Sequence, residues 1–540
     1  MTPQDFHLNF SYKDADYSIK LLQDPEKYSN YSVTINGISY KILGEEEKLP
    51  MAYNILNSIS LTSIGSDKDL SRKIENLTKV AVLPKTIKAL SILNPTATIN
   101  NEIVKGSEGN TIDSYLRSMV EKTSFRGSVM VVKESEIILS KGYGNATLNE
   151  KNTASTIFHI GSLTKQFTAA AIMKLVEKGN ISLNEKINLY LSQEYQSEEY
   201  WKNITIQQLL SHTSGISNYT EDPNYFKNCL SLTKDLLIKE AMKEPLRYPI
   251  GEFHYSNTGY LLLGAIIEEQ SKVSYREFMS REFFIPADMN ESGVHDITFE
   301  LNPTMAIGFR PDESGDNLIE DVIENLSQTC GADGAIYSSL EDLLKWSQIL
   351  DKGKKILMIE SLNEMKTPIK NGYGYGLGIE QNFGTTKIFH DGLVPGFVSS
   401  FVKYPEKDIF IAVLGNNGKF PSGFLTNYIS ELLLDEKGEG LTIIPHDFRE
   451  DPRLGIFKSI EGSVLIELFE KNGHLFMKGI DAPGTVSECF LLSNKRILHP
   501  SGLQIEFKED SLIVYAEHEK NENNPEGKVD QLARSLEKII

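Results

Sequence analysis

Two groups of strand-like segments lie far apart in the sequence and enclose a long helix-rich stretch, and this arrangement constrains the fold more than any other feature. The first group, residues 127–132 and 137–140, predicts a β-hairpin. Strand-like patterns return after the helix-rich stretch of about residues 160–365, at residues 386–389, 399–404 and 409–414. We therefore predict an α+β fold. One antiparallel sheet, flanked by helices, is built from both ends of this segment, with an all-helical subdomain inserted between them.

The first part of the chain, residues 1–110, is predicted to be an N-terminal extension of unknown role. In it, residues 31–42 alternate around Asn36 and Gly37. This pair readily adopts the positive φ angles of a type I′ turn and so predicts a β-hairpin. Helical segments are predicted from there to about residue 93.

Residues 113–437 are predicted to form the central domain, and a linker at about residues 441–445 separates it from residues 446–540. Short strand-like runs recur in this last part, at residues 463–468, 474–478 and 511–515. Turn residues separate them, which is typical of a small β-rich domain. We expect the chain to end with a charged tail and a short C-terminal helix.

The chain is acidic: 74 aspartates and glutamates against 55 lysines and arginines give 540 residues a formal net charge of −19. That charge repels phosphate backbones, so we expect no nucleic-acid partner. No segment approaches the roughly 20 apolar residues of a membrane span, and the N-terminus resembles no secretory signal. We expect a cytoplasmic protein if the chain is complete, and a periplasmic or secreted one if a signal peptide has been removed. The oligomeric state stays open.

Neither a metal nor another cofactor is expected. Cys229, Cys330 and Cys489 lie far apart and form no CxxC pair, which disfavours a disulfide framework and a zinc site. The ten histidines form neither an HxH nor an HExxH pattern. A metallohydrolase is therefore disfavoured.

Ser162 and Lys165 are the candidate nucleophile and base. They stand one turn apart at the start of a strongly helical stretch that continues to about residue 176, so their side chains lie on one face. A serine hydroxyl needs a base within hydrogen-bond reach, and a lysine can serve where burial leaves it neutral. The free N–H groups of a helix N-terminus can also hold an oxyanion.

The same Ser-x-x-Lys spacing occurs at three other places in the chain. Ser231 precedes a plain amphipathic helix, whose start Ser231 or Thr233 could cap. Ser400 lies in an alternating strand, where it and the lysine three residues later would point to opposite faces, and Ser535 lies in the charged tail. Only Ser162 precedes a helix apolar enough to be buried.

Two further short patterns follow Ser162 along the chain. One is Tyr255 with Asn257, and the other is His390 with Gly392. The same spacings also occur elsewhere, for instance at Tyr143, and a half-buried tyrosine or a structural histidine would explain each one equally well. The information lies in the order of all three patterns: Ser-x-x-Lys, then Tyr-x-Asn, then His-x-Gly.

In this order the patterns resemble the active-site motifs of the serine penicillin-recognising enzymes. The Tyr-x-Asn form is similar to that of class C β-lactamases, DD-peptidases, D-aminopeptidases and related esterases. Segments at residues 204–216, 331–343 and 373–378 also resemble ones typical of this group, and the resemblance covers about residues 113–435. It implies a β-lactamase/transpeptidase-like fold and a serine hydrolase that forms a covalent acyl-enzyme with an amide or ester.

The resemblance also implies roles for four of these residues. Ser162 would be acylated, and Lys165 would take or relay its proton. Tyr255 would be the second proton-transfer group. Asn257 would bind a substrate carbonyl.

The remaining implied roles belong to the His-x-Gly segment, where substrate binding is expected. His390 would line the pocket where many relatives carry lysine, beside Gly392. The backbone N–H groups of Ser162 and Leu393 would form the oxyanion hole, each contributing about 3 kcal/mol. Water would then hydrolyse the acyl-enzyme.

One departure from the family pattern bears on the substrate. Class C β-lactamases carry Lys-Thr-Gly where this chain has His390, Asp391 and Gly392. An acidic Asp391 at the pocket lip would repel a substrate carboxylate; alternatively, its side chain points away and pairs with a surface lysine. We expect a D-amino-acid peptide or small ester as substrate, with weak or no β-lactamase turnover. The alternatives are a β-lactamase, a penicillin-binding DD-carboxypeptidase, or a catalytically inert scaffold that retains the fold.

Overall fold

The computed structural model comprises two compact units, Met1–Ile99 and Asn100–Ile540. In the first unit it describes the backbone of residues 6–12, 15–23, 30–35 and 38–43. In the second it describes residues 102–538, except for 123–124, 196–199, 222–232, 297–303, 312–317, 321–330, 354–355, 419, 421, 435–443, 445, 460–464, 480–485, 493–495, 499–503, 509–510 and 516–534.

The first unit contains a four-stranded antiparallel sheet. Its strands are β1 (Phe6–Tyr12), β2 (Ala15–Gln23), β3 (Asn30–Ile35) and β4 (Ile38–Leu43), paired in sequence order. Strands β3 and β4 pair antiparallel with Ile35 opposite Ile38, as the predicted hairpin requires; residues 36 and 37 lie outside the described residues. The first two strands had not been predicted. The predicted helical segments up to about residue 93 lie outside the described residues.

In the second unit, the strands and helices up to residue 434 begin at residue 103, before the predicted start of the central domain at residue 113. The strands are β5 (Ile103–Val104), β6 (Gly127–Lys133), β7 (Glu136–Tyr143), β8 (Phe158–His159), β9 (Gly293–Val294), β10 (Phe309–Pro311), β11 (Leu318–Glu320), β12 (Ile336–Ser338), β13 (Gly378–Asn382), β14 (Thr385–Val394), β15 (Phe397–Tyr404) and β16 (Ile409–Gly415). The helices are α1 (Gly106–Lys122), α2 (Thr164–Glu177), α3 (Ile206–Leu210), α4 (Lys234–Met242), α5 (Asn257–Ser271), α6 (Tyr275–Met279), α7 (Leu340–Lys352), α8 (Ile359–Met365) and α9 (Ser422–Leu434).

A seven-stranded antiparallel sheet organises this part of the chain. Its strand order is β13-β14-β15-β16-β6-β7-β5, so the late strand β16 pairs with the early strand β6. The sheet is therefore built from both ends of the segment, as predicted. The α+β, β-lactamase/transpeptidase-like fold that the sequence indicated is confirmed.

The two faces of the sheet belong to two hydrophobic cores. On β16, Phe410 and Ala412 join the core of the helical insertion, whereas Ile409, Ile411 and Val413 pack with the helices α1 and α9. Alternate residues of a strand point to opposite faces, so a strand that is apolar at every position can serve both cores.

The insertion between β8 and β13 is built around two buried helices. In α2 almost every residue is buried, including Lys165 and Gln166, and three consecutive alanines favour both the helix and close packing. Helix α5 packs against α2. The insertion also contains two small sheets, β8-β12-β9 and β10-β11. The predicted all-helical subdomain did not include them, because strands of two or three residues are too short to show an alternating pattern.

The C-terminal strands form a closed antiparallel barrel. They are β17 (Gly455–Ser459), β18 (Leu465–Lys471), β19 (His474–Gly479), β20 (Ser487–Leu491), β21 (Arg496–Leu498), β22 (Gln504–Lys508), β23 (Ser511–Tyr515) and β24 (Ser535–Lys538). The predicted small β-rich domain is thus present. The predicted C-terminal helix is wrong, because Ser535–Lys538 pairs as a strand with both β17 and β23 and closes the barrel.

The barrel has its own hydrophobic core but also shares one with the central sheet. Phe457, Leu468 and Ile497 are among the residues that fill its interior. Phe490 and Leu492, in contrast, are buried in the core that α1 and α9 form against the sheet. That residues 446–540 form a separable domain therefore stays a prediction. In the parts of the chain that the structure describes, no helix is long and apolar enough to cross a membrane.

Candidate active site

Ser162 lies in a tight turn that joins β8 to α2. The turn, Gly161–Leu163, is a single 3₁₀ turn that runs directly into the helix, and the Ser162 side chain is half-buried. Gly161 has φ +51°, and a Cβ atom built there would lie 2.7 Å from the backbone nitrogen of Leu393. Glycine is therefore needed both for the left-handed backbone and for the close approach of β14. The result is that the backbone nitrogens of the turn and of Leu393 lie next to each other.

Lys165 reaches Ser162 from the first turn of α2. Its side chain is fully buried, and its Nζ lies 3.0 Å from Ser162 Oγ, 2.7 Å from Asn257 Oδ1 and 2.7 Å from the backbone oxygen of Asp333. The amide and peptide oxygens can only accept hydrogen bonds. Two N–H groups of the amine therefore point at these oxygens, and its third contact is with the serine hydroxyl. The Lys165 amine is thus placed where it can exchange a proton with Ser162.

Asn257 occupies the first position of α5 and is fixed on several sides. Ser256 caps this helix by accepting a hydrogen bond from the Gly259 N–H. The Asn257 Nδ2 donates to Thr220 Oγ1 at 3.2 Å, while its Oδ1 accepts from Lys165. Asn257 was predicted to bind a substrate carbonyl. In the structure its side chain also holds the Lys165 amine.

Asp333 is a site residue that the sequence analysis did not identify. Its backbone oxygen accepts from Lys165, and its buried carboxylate accepts from the hydroxyl of Tyr219 at 2.7 Å and from the Gly331 N–H at 2.9 Å. The segment 331–343 had been singled out as resembling the family. However, a contact made through a peptide oxygen leaves no signature in side-chain type, so its role could not be predicted.

Tyr255 lies beside the serine–lysine pair, as predicted. Lys165 Nζ is 4.9 Å from the centroid of the Tyr255 ring. The ring of His212 lies 4.2 Å away, and the ring of His390 lies 6.4 Å away. Tyr255 is partly exposed, so its ring is held by neighbours on one side and open on another. The structure brings Ser162, Lys165 and Tyr255 together.

His390 is buried on β14, and both of its ring nitrogens are engaged. The Nδ1 lies 2.7 Å from the backbone oxygen of Asp391, which can only accept, so Nδ1 carries the proton. The Nε2 then accepts from the Tyr373 hydroxyl at 2.9 Å. Burial, and then the charge of Lys165, lowers the pKa of His390 to about 3. The imidazole is therefore neutral, and the cation that many relatives carry at this position is absent here.

Tyr373 is a second residue that the sequence analysis did not assign to the site. It is buried, and its ring lies 4.9 Å from that of His212 and 5.8 Å from that of His390. Burial raises its pKa well above the usual value, so its phenol stays protonated and can donate to His390. The motif 373–378 had been recognised as typical of the family, which was the available signal.

Gly392 and Leu393 bring β14 against the serine turn. A Cβ atom at Gly392 would lie 2.1 Å from the Ile160 backbone oxygen and 2.3 Å from Ser399 Oγ. That hydroxyl donates to the same Ile160 oxygen at 2.7 Å. Only glycine allows this contact, and it places the next residue, Leu393, beside the serine turn with its side chain 64% exposed.

Asp391 does not join the other predicted site residues. It alternates with His390 on β14, so its side chain lies on the opposite face of the sheet. There its carboxylate accepts a hydrogen bond from Ser400, interacts with the charge of Lys387, and lies 3.1 Å from where Gly423 in α9 would carry a Cβ. A carboxylate beside the first turn of a helix is favourable. The expectation that Asp391 faces the substrate is corrected, and the alternative that it points away is supported.

The structure separates the two residues of the competing pair at Ser400 and Lys403. Ser400 contacts Thr426 Oγ1 at 3.0 Å on the α9 side of the sheet, while Lys403, three residues along the strand, pairs with Asp351. Ser231 lies outside the described residues, and Thr233 caps α4. Among the described residues, no group of three or more His, Cys, Asp or Glu side chains could hold a metal ion.

The comparisons with known proteins agree with this geometry. Residues 112–434, more than half of the chain, match the family described as Beta-lactamase. The chain is 30% identical over 372 residues to PbpX of Bacillus subtilis (strain 168), which its name places provisionally among the penicillin-binding proteins; the match covers 68% of this chain and 89% of the relative.

Two solved structures are similar over the whole of their own length. The octameric penicillin-binding protein homologue from Pyrococcus abyssi is 26% identical with a TM-score of 0.56, and the match covers 79% of this chain and 99% of that one. A penicillin binding protein from Bacillus halodurans is 28% identical with a TM-score of 0.52, and the match covers 59% of this chain and 99% of that one. The chain therefore belongs to the Beta-lactamase family, the serine hydrolases of the β-lactamase and penicillin-binding-protein type.

Proposed function

We propose that this protein is a serine hydrolase that forms a covalent acyl-enzyme at Ser162 with a substrate that carries no carboxylate next to the scissile bond. A small ester or an amide of a D-amino-acid peptide fits this description. The observation that carries the proposal is the position of a fully buried Lys165 amine 3.0 Å from the Ser162 hydroxyl, with two acceptor oxygens engaging the rest of the amine.

Acylation begins when Ser162 Oγ attacks the substrate carbonyl carbon. The hydroxyl proton passes to Lys165 as the new C–O bond forms, and the carbonyl electrons move to oxygen. The backbone N–H groups of Ser162 and Leu393 are the donors next to this oxygen. Because they are held by the turn and by β14 before the reaction, they stabilise the oxyanion without reorganisation.

Tyr255 is the proton donor for the leaving group in this proposal. As the tetrahedral intermediate collapses, the bond to the leaving nitrogen or oxygen breaks and its electron pair takes a proton from the phenol. Lys165, which has taken the Ser162 proton by this stage, lies with its Nζ 4.9 Å from the centroid of the Tyr255 ring. Water then attacks the acyl-enzyme, with the same groups acting in reverse.

His390 supports the restriction on substrate charge. It stands where many relatives carry lysine, but it is neutral and both ring nitrogens are already hydrogen-bonded within the protein. It therefore offers neither a charge nor a free donor to a substrate carboxylate. β-Lactams used as antibiotics and C-terminal peptide substrates carry such a carboxylate, which is why we propose weak or no β-lactamase turnover.

Penicillin binding is a second candidate function, favoured by the relatives that are named as penicillin-binding proteins. In this version, Ser162 is acylated by penicillin and the acyl-enzyme hydrolyses slowly. A scaffold without turnover is the remaining alternative. It would not need the arrangement of Lys165 around the serine hydroxyl.

Steady-state kinetics on three substrates test these proposals: nitrophenyl butyrate, a D-alanyl-D-alanine peptide and nitrocefin. We expect ester hydrolysis that Ser162→Ala abolishes and that Ser231→Ala, the matched control in the competing motif, leaves unchanged. A kcat/KM for nitrocefin near 10⁷ M⁻¹s⁻¹, roughly the upper enzyme range, would contradict the restriction on charge. No hydrolysis and no adduct with any of the three would favour the scaffold.

A further inference from the structure

His212 lies against Tyr255 but has no place in the proton transfers proposed above. It is only 1% exposed. Its ring centroid lies 4.2 Å from that of Tyr255, with the planes inclined at 36°. The rings of Tyr260 and Tyr373 lie 5.0 and 4.9 Å from it. His212 therefore belongs to a group of packed aromatic rings, and within this group it is the ring that supports Tyr255.

Two hydrogen bonds join His212 to the residues on either side of Tyr255. The N–H of His254 donates to the backbone oxygen of His212 at 2.8 Å. The N–H of Ser256 donates to its ring Nδ1 at 3.1 Å. Tyr255 is the single residue between these two hydrogen-bonded neighbours. The backbone oxygen and the ring of His212 therefore hold the chain on both sides of Tyr255, and the His212 ring also packs against the Tyr255 ring.

The chemistry of His212 indicates that the Nδ1 contact is the reason for an imidazole at this position. Since Nδ1 accepts from a backbone N–H, the proton of the neutral ring is on Nε2, and Nε2 has no hydrogen-bond partner among the described residues. Burying an unsatisfied donor costs free energy that an apolar ring would avoid. Burial, followed by the charge of Lys165, also keeps the pKa of His212 well below its usual value.

The backbone of His212 is also unusual. Its φ is +57°, in the left-handed region that few non-glycine residues adopt. Strained backbone persists where the surrounding structure holds it and is concentrated at functional sites. Here the strain turns the backbone oxygen toward His254 while the ring faces Tyr255.

We propose that His212 is a positioning residue that holds Tyr255 in the geometry for proton transfer to the leaving group. The proposal rests on the proposed function, because it requires acylation of Ser162. It predicts that a His212 substitution lowers kcat/KM more when the leaving group needs a proton than when it does not. When a methyl ester is cleaved, the C–O electron pair must take a proton as methanol leaves. When a nitrophenyl ester is cleaved, the electron pair leaves with the oxygen as a stable nitrophenolate.

Two variants of His212 each remove one of its two contributions. His212→Asn keeps a side-chain oxygen near the position of Nδ1 and tolerates a positive φ, but removes the ring. His212→Phe keeps a ring and removes the acceptor. For each variant we expect kcat/KM for methyl butyrate to fall about 100-fold, the effect of roughly 1 Å of misplacement. We expect less than a threefold fall for nitrophenyl butyrate, and Tyr255→Phe should give the same division.

The matched control is His254→Asn, the same change at the residue that precedes Tyr255. Its side chain stacks on Tyr248 at 3.6 Å and takes part in the anchoring only through its backbone. Both esters should be hydrolysed within twofold of the unaltered protein. Circular dichroism and thermal unfolding of every variant establish which ones are folded, and the division is expected in whichever His212 variant folds.

The outcomes distinguish this inference from the proposal beneath it. Equal losses on both esters in a folded His212 variant, or a loss below threefold on methyl butyrate, overturn the positioning role while Ser162→Ala remains inactive. Retention of methyl butyrate hydrolysis by Ser162→Ala overturns the proposed function, and the positioning role with it. A loss confined to methyl butyrate in both His212→Asn and Tyr255→Phe supports the role.

Discussion

Replacing Gly392 with alanine should damage catalysis by moving one donor of the oxyanion hole. The added Cβ would lie 2.1 Å from the Ile160 oxygen and 2.3 Å from Ser399 Oγ, and real Cβ atoms essentially never approach a heavy atom within 3.0 Å. The backbone of β14 must therefore retreat from the serine turn by about 1 Å, a displacement that can cost about 100-fold in rate. The N–H of Leu393, next in the chain, moves with it.

This loss corresponds to about 2.7 kcal/mol of transition-state stabilisation, close to the cost of removing one oxyanion-hole donor in other enzymes. The assay is kcat for nitrophenyl butyrate, since this ester needs no proton at its leaving group and reports on the oxyanion hole. Unfolding by heat, followed in parallel, shows how much of the effect is a loss of folded protein.

Gly384→Ala is the matched control. Gly384 has φ +70° in the turn between β13 and β14, and a Cβ there would meet nothing within 4 Å. It should lower stability by roughly 1–2 kcal/mol because of the left-handed backbone, with kcat unchanged. A Gly392→Ala variant that keeps kcat within threefold of the unaltered protein would refute the reasoning, because the clash would then be relieved without moving Leu393.

Three further predictions concern other parts of the second unit. Asp391→Thr should change kcat/KM by the same factor, within twofold, for a carboxylate-bearing and a neutral ester, because the side chain faces α9; a selective gain for the charged ester would contradict this. Truncation after Leu434 should leave a folded domain that a fluorophosphonate still labels, but removing the buried Phe490 and Leu492 should cost roughly 3–6 kcal/mol of stability; aggregation of the shortened chain would count against it. Burial lowers the pKa of His390 from 6.5 to about 3 in the folded protein. As the pH drops from about 6.5 toward 3, the unfolded state therefore takes up a proton first, and the free energy of unfolding falls. His390→Gln should weaken this fall, measured as the difference in Tm between pH 7 and pH 5, and an unchanged difference would show that His390 is not buried neutral.

The sequence was sufficient where a pattern was long or where several motifs kept a fixed order. The strands β6, β7, β15 and β16 each have seven or eight residues with strong apolar character, and all were predicted within a few residues. Ser162 could be chosen over three equivalent motifs because only the helix that follows it is apolar enough to be buried.

The sequence was insufficient where the decisive contact is made by the backbone or by a short element. The oxygen that Asp333 offers to Lys165 belongs to its peptide group, and the hydrogen bond from Tyr373 to His390 depends on how the segment before β13 folds against β14. Asp391 is different, because the alternation of β14 already implies that it and His390 face opposite sides. The error there was to take both neighbours as lining one pocket.

The central claim is that Ser162 is the activated nucleophile, and mapping a fluorophosphonate adduct tests it most directly. The full chain is incubated with the probe, its intact mass is measured, and the labelled peptide is sequenced by fragmentation. We predict one adduct per chain, on Ser162, absent from Ser162→Ala and unchanged in Ser231→Ala. An adduct on Ser231, or no adduct at all on the folded protein, would contradict the account.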